Sequence, residues 1–82
     1  MAVVDVYSRR GCHLCEVLIE ELLELVGNRA RVDVHDIDSR DDWLEAYNVR
    51  IPVVEIDGEF ICQFRLDRDG VIRALDRVAD PK

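Results

Sequence analysis

Cys12-His13-Leu14-Cys15 spaces two thiols by about one helical turn, close enough for the sulfurs to bond to each other or to act in turn on one substrate sulfur. Such a pair works through the thiolate, because only the ionised sulfur attacks a disulfide. The surrounding sequence favours that ion. Val3-Val4-Asp5-Val6-Tyr7 is rich in strand formers, Ser8-Arg9-Arg10-Gly11 reads as a turn, and an amphipathic stretch opens at His13. A helix N-terminus presents unpaired N–H groups and the positive end of its dipole, and both stabilise an anion. Cys12 stands nearer that end than Cys15 and gains more from it. Arg9 and Arg10 add positive potential. A protonated His13 would favour the Cys12 thiolate and make the disulfide a stronger oxidant, the alternative being an exposed first-turn residue without a role. Two blander fates compete for the cysteines: inert thiols, or half of a zinc site. Zinc takes about four ligands, and the other candidates, His13, His35 and Cys62, form no second close pair.

The elements that must hold the pair follow from periodicity. Residues 2–7 read as a strand. From His13 to Val26, Leu14, Val17, Leu18, Leu22, Leu25 and Val26 recur at helical spacing, with glutamates on the other face and Gly27-Asn28 as the stop. Leu14 is expected in the core. The stretch 30–38 reads as a second strand, with His35 on a solvated strand face. Ser39 and Asp42 resemble a capping box for a short helix through Tyr47, closed by a left-handed Asn48. Trp43 and Tyr47, four apart on it, read as packing residues. Pro52–Ile56, the turn Asp57-Gly58 and Glu59–Phe64 form a hairpin. Cys62 in its second strand reads chiefly as a buried thiol serving as a small apolar residue, the alternative being a third redox thiol near the active site. From about Asp67, the spacing of Val71, Leu75 and Val78 predicts a last helix ended by Pro81. The order is β-α-β-α-β-β-α: an α/β fold with a mixed four-stranded sheet, helices on both faces, and the first two strands parallel.

At 82 residues the chain has room for one core, so residues 1–82 are expected to form a single domain. A formal charge of -7 argues against nucleic acid and anionic membrane as partners. No apolar run approaches the roughly 18–20 residues that span a bilayer. The sequence opens on strand-like residues rather than a signal peptide, and three cysteines are too few for a disulfide scaffold. A cytoplasmic monomer is the expectation.

This element order, with Cys-x-x-Cys after the first strand and a proline opening the third, resembles the thioredoxin fold. Within it, Tyr7-Ser8-Arg9-Arg10-Gly11-Cys12-His13-Leu14-Cys15 and Val49-Arg50-Ile51-Pro52-Val53 look most like a small glutaredoxin-like family. The resemblance implies that Cys12 is the exposed attacking thiol and Cys15 the resolving thiol beneath it. It also implies a cis Ile51–Pro52 bond beside the pair, with the Ile51 backbone placed to meet an extended substrate. Departures are equally visible. Gly11 stands where thioredoxins usually carry Trp, and His13-Leu14 replaces the Pro-Tyr of glutaredoxins. Cys62-Gln63-Phe64-Arg65 lacks the Gly-Gly that helps receive the glutathione carboxylate.

The chemistry expected is thiol–disulfide exchange by Cys12 and Cys15 on a protein disulfide or a glutathione mixed disulfide, with no bound cofactor and glutathione as a candidate reductant. Arg10, His13, Arg50, Ile51 and Pro52 are the candidate substrate-binding residues. Arg50 has the geometry to grip a carboxylate bidentately, or else to pair with a neighbouring Asp. Two other classes compete: a redox-inactive binding module that keeps the groove beside Ile51-Pro52, and a metal or iron–sulfur carrier.

Overall fold

The computed structural model describes residues 2–79. Its sheet is built on strand β1 (Ala2–Ser8), in which Ala2, Val4, Val6 and Ser8 are buried and alternate with half-buried Val3, Asp5 and Tyr7. Period two puts these sets on opposite faces, and both faces are covered. β2 (Ala30–Asp36) runs parallel to β1, while β3 (Val53–Ile56) runs antiparallel to it and carries β4 (Glu59–Gln63) outside. The order β2-β1-β3-β4 makes β1 an inner strand.

Helices α1 (His13–Val26) and α3 (Arg68–Ala79) pack on the first face. Leu18, Leu22 and Val26 of α1 and Val71, Ala74 and Leu75 of α3 join Ala2, Val4, Val6, Val54, Ile56 and Cys62 in one apolar core. The stripe lies slightly off the expected one. Leu14 is 53% exposed and Val17 also faces solvent, because Cys15 rather than Leu14 begins the row Cys15, Leu18, Leu22, Val26. The short helix α2 (Asp41–Tyr47) covers the second face, where Val53, Ile37 and Pro52 are buried.

The approach to α2 departs from expectation. β2 ends at Asp36, and Ile37–Ser39 forms a 3-10 turn. The Asp36 side chain accepts from the Asp38 N–H at 2.9 Å, and Ser39 Oγ donates to the Asp36 carbonyl at 2.6 Å. Ser39 is thereby committed, and there is no capping box. Arg40 occupies the N-cap without a side-chain cap bond and pairs with Asp42 instead. Asn48 continues in right-handed geometry, its N–H still reaching the Leu44 carbonyl, so no left-handed closure occurs. Val34 is half exposed because β2 is an edge strand that no helix fully covers.

The hairpin turn forms as its sequence dictates. Asp57 and Gly58 both have positive φ, +50° and +85°, as a two-residue turn matched to sheet twist demands. β4 stops at Gln63, one residue short of the expected end, because Phe64 enters the left-handed region and donates its N–H to the Pro52 carbonyl at 2.8 Å. Asp67 accepts from the Gly70 N–H and opens α3. The expected stop at Pro81 lies outside the described residues. Among those residues no helix is long and apolar enough to cross a membrane.

Leu22 and Leu23 are adjacent on α1, one sealed in the core and one half exposed. Leu22→Ala should cost about 2–5 kcal/mol through lost burial and a cavity. Leu23→Ala should stay within about 0.5 kcal/mol of the parent. Urea unfolding followed by Trp43 fluorescence measures both.

Candidate active site

At the C-terminal end of β1 the chain must turn from the sheet into α1 within four residues. Gly11 takes φ +77°, a left-handed conformation that costs a side-chain-bearing residue about 1–2 kcal/mol. The Cys12 N–H bonds back to the Arg9 carbonyl at 3.3 Å, closing the turn. Cys12 then becomes the N-cap of α1, in extended geometry, and its sulfur accepts from the Cys15 N–H at 3.2 Å. A cysteine thus stands where Ser, Thr, Asp or Asn usually supplies an oxygen. The Cys15 N–H and the positive end of the helix dipole both meet Sγ, which favours a thiolate there.

Cys12 and Cys15 are joined as a disulfide, their Cα atoms 5.2 Å apart, within the usual range for such a bond. Cys12 is partly open to solvent, whereas Cys15 is 1% exposed. One sulfur can meet a substrate from outside, and the other is shielded beneath it. His13 is exposed, as is Arg10. Arg9 does not add free positive potential: its guanidinium grips Asp38 with two bonds of 3.0 and 2.8 Å, which holds the Asp38 carboxyl below the usual carboxylate range. A cleft of about 450 Å³ opens beside the dithiol, with Arg10, Gly11, Cys15, Glu16 and Val34 among its walls.

Sheet register brings the second motif to the same end. Val53 pairs with Tyr7, so the Ile51–Pro52 step, which is cis, lies level with the loop leading to Cys12. Pro52 is buried and Ile51 half-buried. Arg50 is exposed and, among the described residues, pairs with no aspartate. Its Nε donates to Gln63 Oε1 at 3.1 Å, and its guanidinium lies 5.8 Å from both the Tyr47 and Phe60 ring centres.

Behind Pro52, on the α2 face, is a cluster that sequence reasoning missed. Tyr7 stacks on Tyr47 at 4.2 Å and on His35 at 5.1 Å, and meets the edge of Trp43 at 5.6 Å. His35 is far from a solvated bystander: its Nε2 donates to Asp5 Oδ1 at 2.7 Å. The Tyr47 hydroxyl donates to Glu55 at 3.0 Å. Burial first, then Glu55, through its charge at Tyr7 and its hydrogen bond at Tyr47, push both phenols above their ordinary range. Tyr7-x-His35 pairing is invisible before the β1–β2 register is known, since the two lie 28 positions apart; only the Trp43–Tyr47 spacing hinted at it.

Cys62 is the third cysteine, free and buried, with its thiol pushed up by burial. Among the described residues, no group of three or more His, Cys, Asp or Glu side chains is placed to hold a metal ion.

A four-stranded mixed sheet with a dithiol at the end of its first strand and a cis-proline at the start of its third defines a thioredoxin-type domain. Comparison makes the class specific. Residues 3–76 match the model of the glutaredoxin-like domain (DUF836), and the chain belongs to that family. A Xanthomonas campestris protein solved by structural genomics is 27% identical with TM-score 0.68, the match covering 95% of this chain and 99% of that one. The holo form of a glutaredoxin from Populus tremula x tremuloides is 28% identical with TM-score 0.51, over 90% and 74% of the two chains. A thioredoxin point mutant from Halobacterium salinarum shares the fold at TM-score 0.64 and 24% identity, over 99% and 77%. No curated protein is matched by sequence. Family and site together fit a thiol redox role.

Cys62 generates a pH prediction. Its folded thiol keeps a proton that the unfolded thiol loses near pH 8.5. The stability tied to that proton is complete below about pH 8.5 and falls as pH rises further. Cys62→Val should therefore flatten the alkaline decline of unfolding free energy between pH 8 and 10. In the reduced protein at pH 8, iodoacetamide should label Cys12 before both Cys15 and Cys62, as read by peptide mass spectrometry.

Proposed function

We propose that this chain is a thiol–disulfide oxidoreductase in which Cys12 is the nucleophile and Cys15 the resolving thiol. The observation that carries the reading is the Cys12 sulfur at the N-cap of α1, accepting the Cys15 N–H, with the Cys15 sulfur in bonding reach. In the reduced protein the Cys12 thiolate attacks one sulfur of a substrate disulfide. A mixed disulfide forms at Cys12, and the first substrate thiol departs as thiolate and takes up a proton from solvent. Cys15 then loses its proton and attacks Cys12 Sγ, expelling the second substrate thiol. The dithiol has given two electrons and become a disulfide, and the substrate disulfide has become two thiols.

The division of labour follows exposure. Cys15 is too shielded to meet a bulky disulfide from solution, and it acts on a sulfur already brought to Cys12. The Cys15 N–H that stabilises the Cys12 thiolate also makes Cys12 the better leaving group when an incoming thiol attacks the substrate sulfur of the mixed disulfide. The Ile51 backbone, level with this loop, supplies an edge for an extended substrate segment. Substrates of this reading are protein disulfides or glutathione mixed disulfides, met by a monomer in the cytosol. No bound cofactor takes part, and two molecules of a thiol such as glutathione restore the dithiol while being oxidised to their disulfide.

Cys12→Ser should lower the reduction of a model disulfide by at least about 10³-fold, to the uncatalysed rate. Cys15→Ser should still react once and stop as a mixed disulfide, visible as an added substrate mass that dithiothreitol removes. Unchanged turnover by the Cys12→Ser protein overturns the assignment of the nucleophile.

A further inference from the structure

Ten of the chain's basic residues are arginines, in a protein of net charge -7. Six of them, Arg9, Arg29, Arg31, Arg40, Arg68 and Arg77, each hold an Asp or Glu in an ion pair. Arg10, Arg50, Arg65 and Arg73 make no ion pair among the described residues. Three of these four gather at the dithiol end of the sheet. Arg10 lies two residues before Cys12. Arg50 precedes Ile51–Pro52, level with that loop through the Val53–Tyr7 pairing. Arg65 follows the end of β4, held there by the Val53–Gln63 pairing and the bond from the Phe64 N–H to the Pro52 carbonyl. All three are exposed. Asp38 is paired with Arg9, whereas Asp36 and Asp67 accept backbone N–H bonds and keep their charge. Glu16, Glu45 and Asp69, near Cys12, Arg50 and Arg65 in sequence, are also exposed. An acidic protein thus keeps three guanidinium groups, free of ion pairs among the described residues, at the dithiol end of its sheet.

The same end exposes apolar side chains: Leu14 beside Cys12, Val49 beside Arg50, and Phe64 beside Arg65. Large apolar side chains spread around the sulfur are complementary to a chain that extends past the disulfide on both sides.

We infer that the rim Arg10, Arg50 and Arg65 selects a polypeptide disulfide flanked by acidic side chains. The inference rests on the thiol–disulfide exchange proposed above and names its substrate class. The chemistry is unchanged: reduced dithiol plus peptide disulfide yields protein disulfide plus two peptide thiols. What the arginines add is encounter rate and orientation. Arg's planar fork receives a carboxylate bidentately, and a local field of one sign raises association with the opposite charge in a salt-dependent way.

The test uses disulfide-linked homodimers of one short peptide, its single cysteine flanked by two Glu, two Gln or two Lys, plus oxidised glutathione. Rates with the full-length reduced protein are normalised to those with dithiothreitol, which removes each probe's intrinsic reactivity. The Glu probe should react about tenfold faster than the Gln probe at low salt and the Lys probe slower, with the preference fading toward unity by about 0.5 M salt. Replacing Arg10, Arg50 and Arg65 together by Gln should collapse the Glu-to-Gln ratio, and Arg73→Gln should leave it intact. Equal rates for the three peptides, or a ratio equally sensitive to Arg73→Gln, overturn the inference. So does oxidised glutathione outpacing the Glu peptide, which would make a small molecule the substrate. Failure to reduce any probe would instead defeat the oxidoreductase reading itself.

Discussion

A helix that starts in solvent leaves N–H groups without acceptors, and a thiolate in water lacks donors fixed in place around it. The start of α1 sets these two deficits against each other: the sulfur of Cys12 takes the position of a capping oxygen, and the backbone of Cys15 donates to it. Everything else at the site follows from keeping that arrangement in register with the sheet. β1 must end at Ser8, Gly11 must turn through a left-handed conformation, and α1 must start at the next step, so that Cys15 falls one turn deeper and inside the core row. Exposure of one sulfur and burial of the other are then consequences of helical geometry.

The rest of the fold brings groups to this point without touching it. β3 runs against β1, so its start, Ile51–Pro52, meets the end of β1 where the dithiol loop leaves. β4 returns antiparallel, so its end meets the start of β3, and Phe64 and Arg65 join the same rim. Two chain reversals thus collect residues from three separate stretches at one edge. On the far face, α2 has no fully buried residue, and its hold on the sheet is aromatic stacking on Tyr7 together with the Tyr47–Glu55 hydrogen bond. Tyr7 is therefore shared: its ring supports α2, and its backbone carries the strand that ends at the redox loop.

Much of this was legible in the residues. Val and Ile alternation, the apolar row of α1 and the Asp57-Gly58 turn each have a local physical cause, so each element appears in place. The Cys-x-x-Cys pair was legible because its spacing and its position at a strand–helix junction are both local facts. Local reasoning failed where a side chain had a nonlocal alternative. Ser39 looked like a cap but spends its hydroxyl on the Asp36 carbonyl. Leu14 looked like core but lies one position out of phase with Cys15 and Leu18. Arg9 looked free and is held by Asp38, 29 positions away. His35 gained its partner Asp5 only through the parallel register, which the sequence does not print.

One irregularity in β4 has an effect on how the two sheet faces are populated. Val54 lies opposite Cys62 but Glu55 lies opposite Phe60, so Ile61 is an extra residue with no partner of its own. Residues two apart on a regular strand share a side, yet here Cys62 enters the core with α1 and α3 while Phe60 stays with Glu55 and Arg50. Were the bulge straightened with Ile61 kept as a regularly paired residue, Phe60 and Cys62 would share a side and one of the two would be misplaced. Either a benzyl group would crowd between the long helices, or a sulfhydryl would be turned out into water. The kink is what lets one short ribbon serve an oily interior and a charged exterior in successive steps.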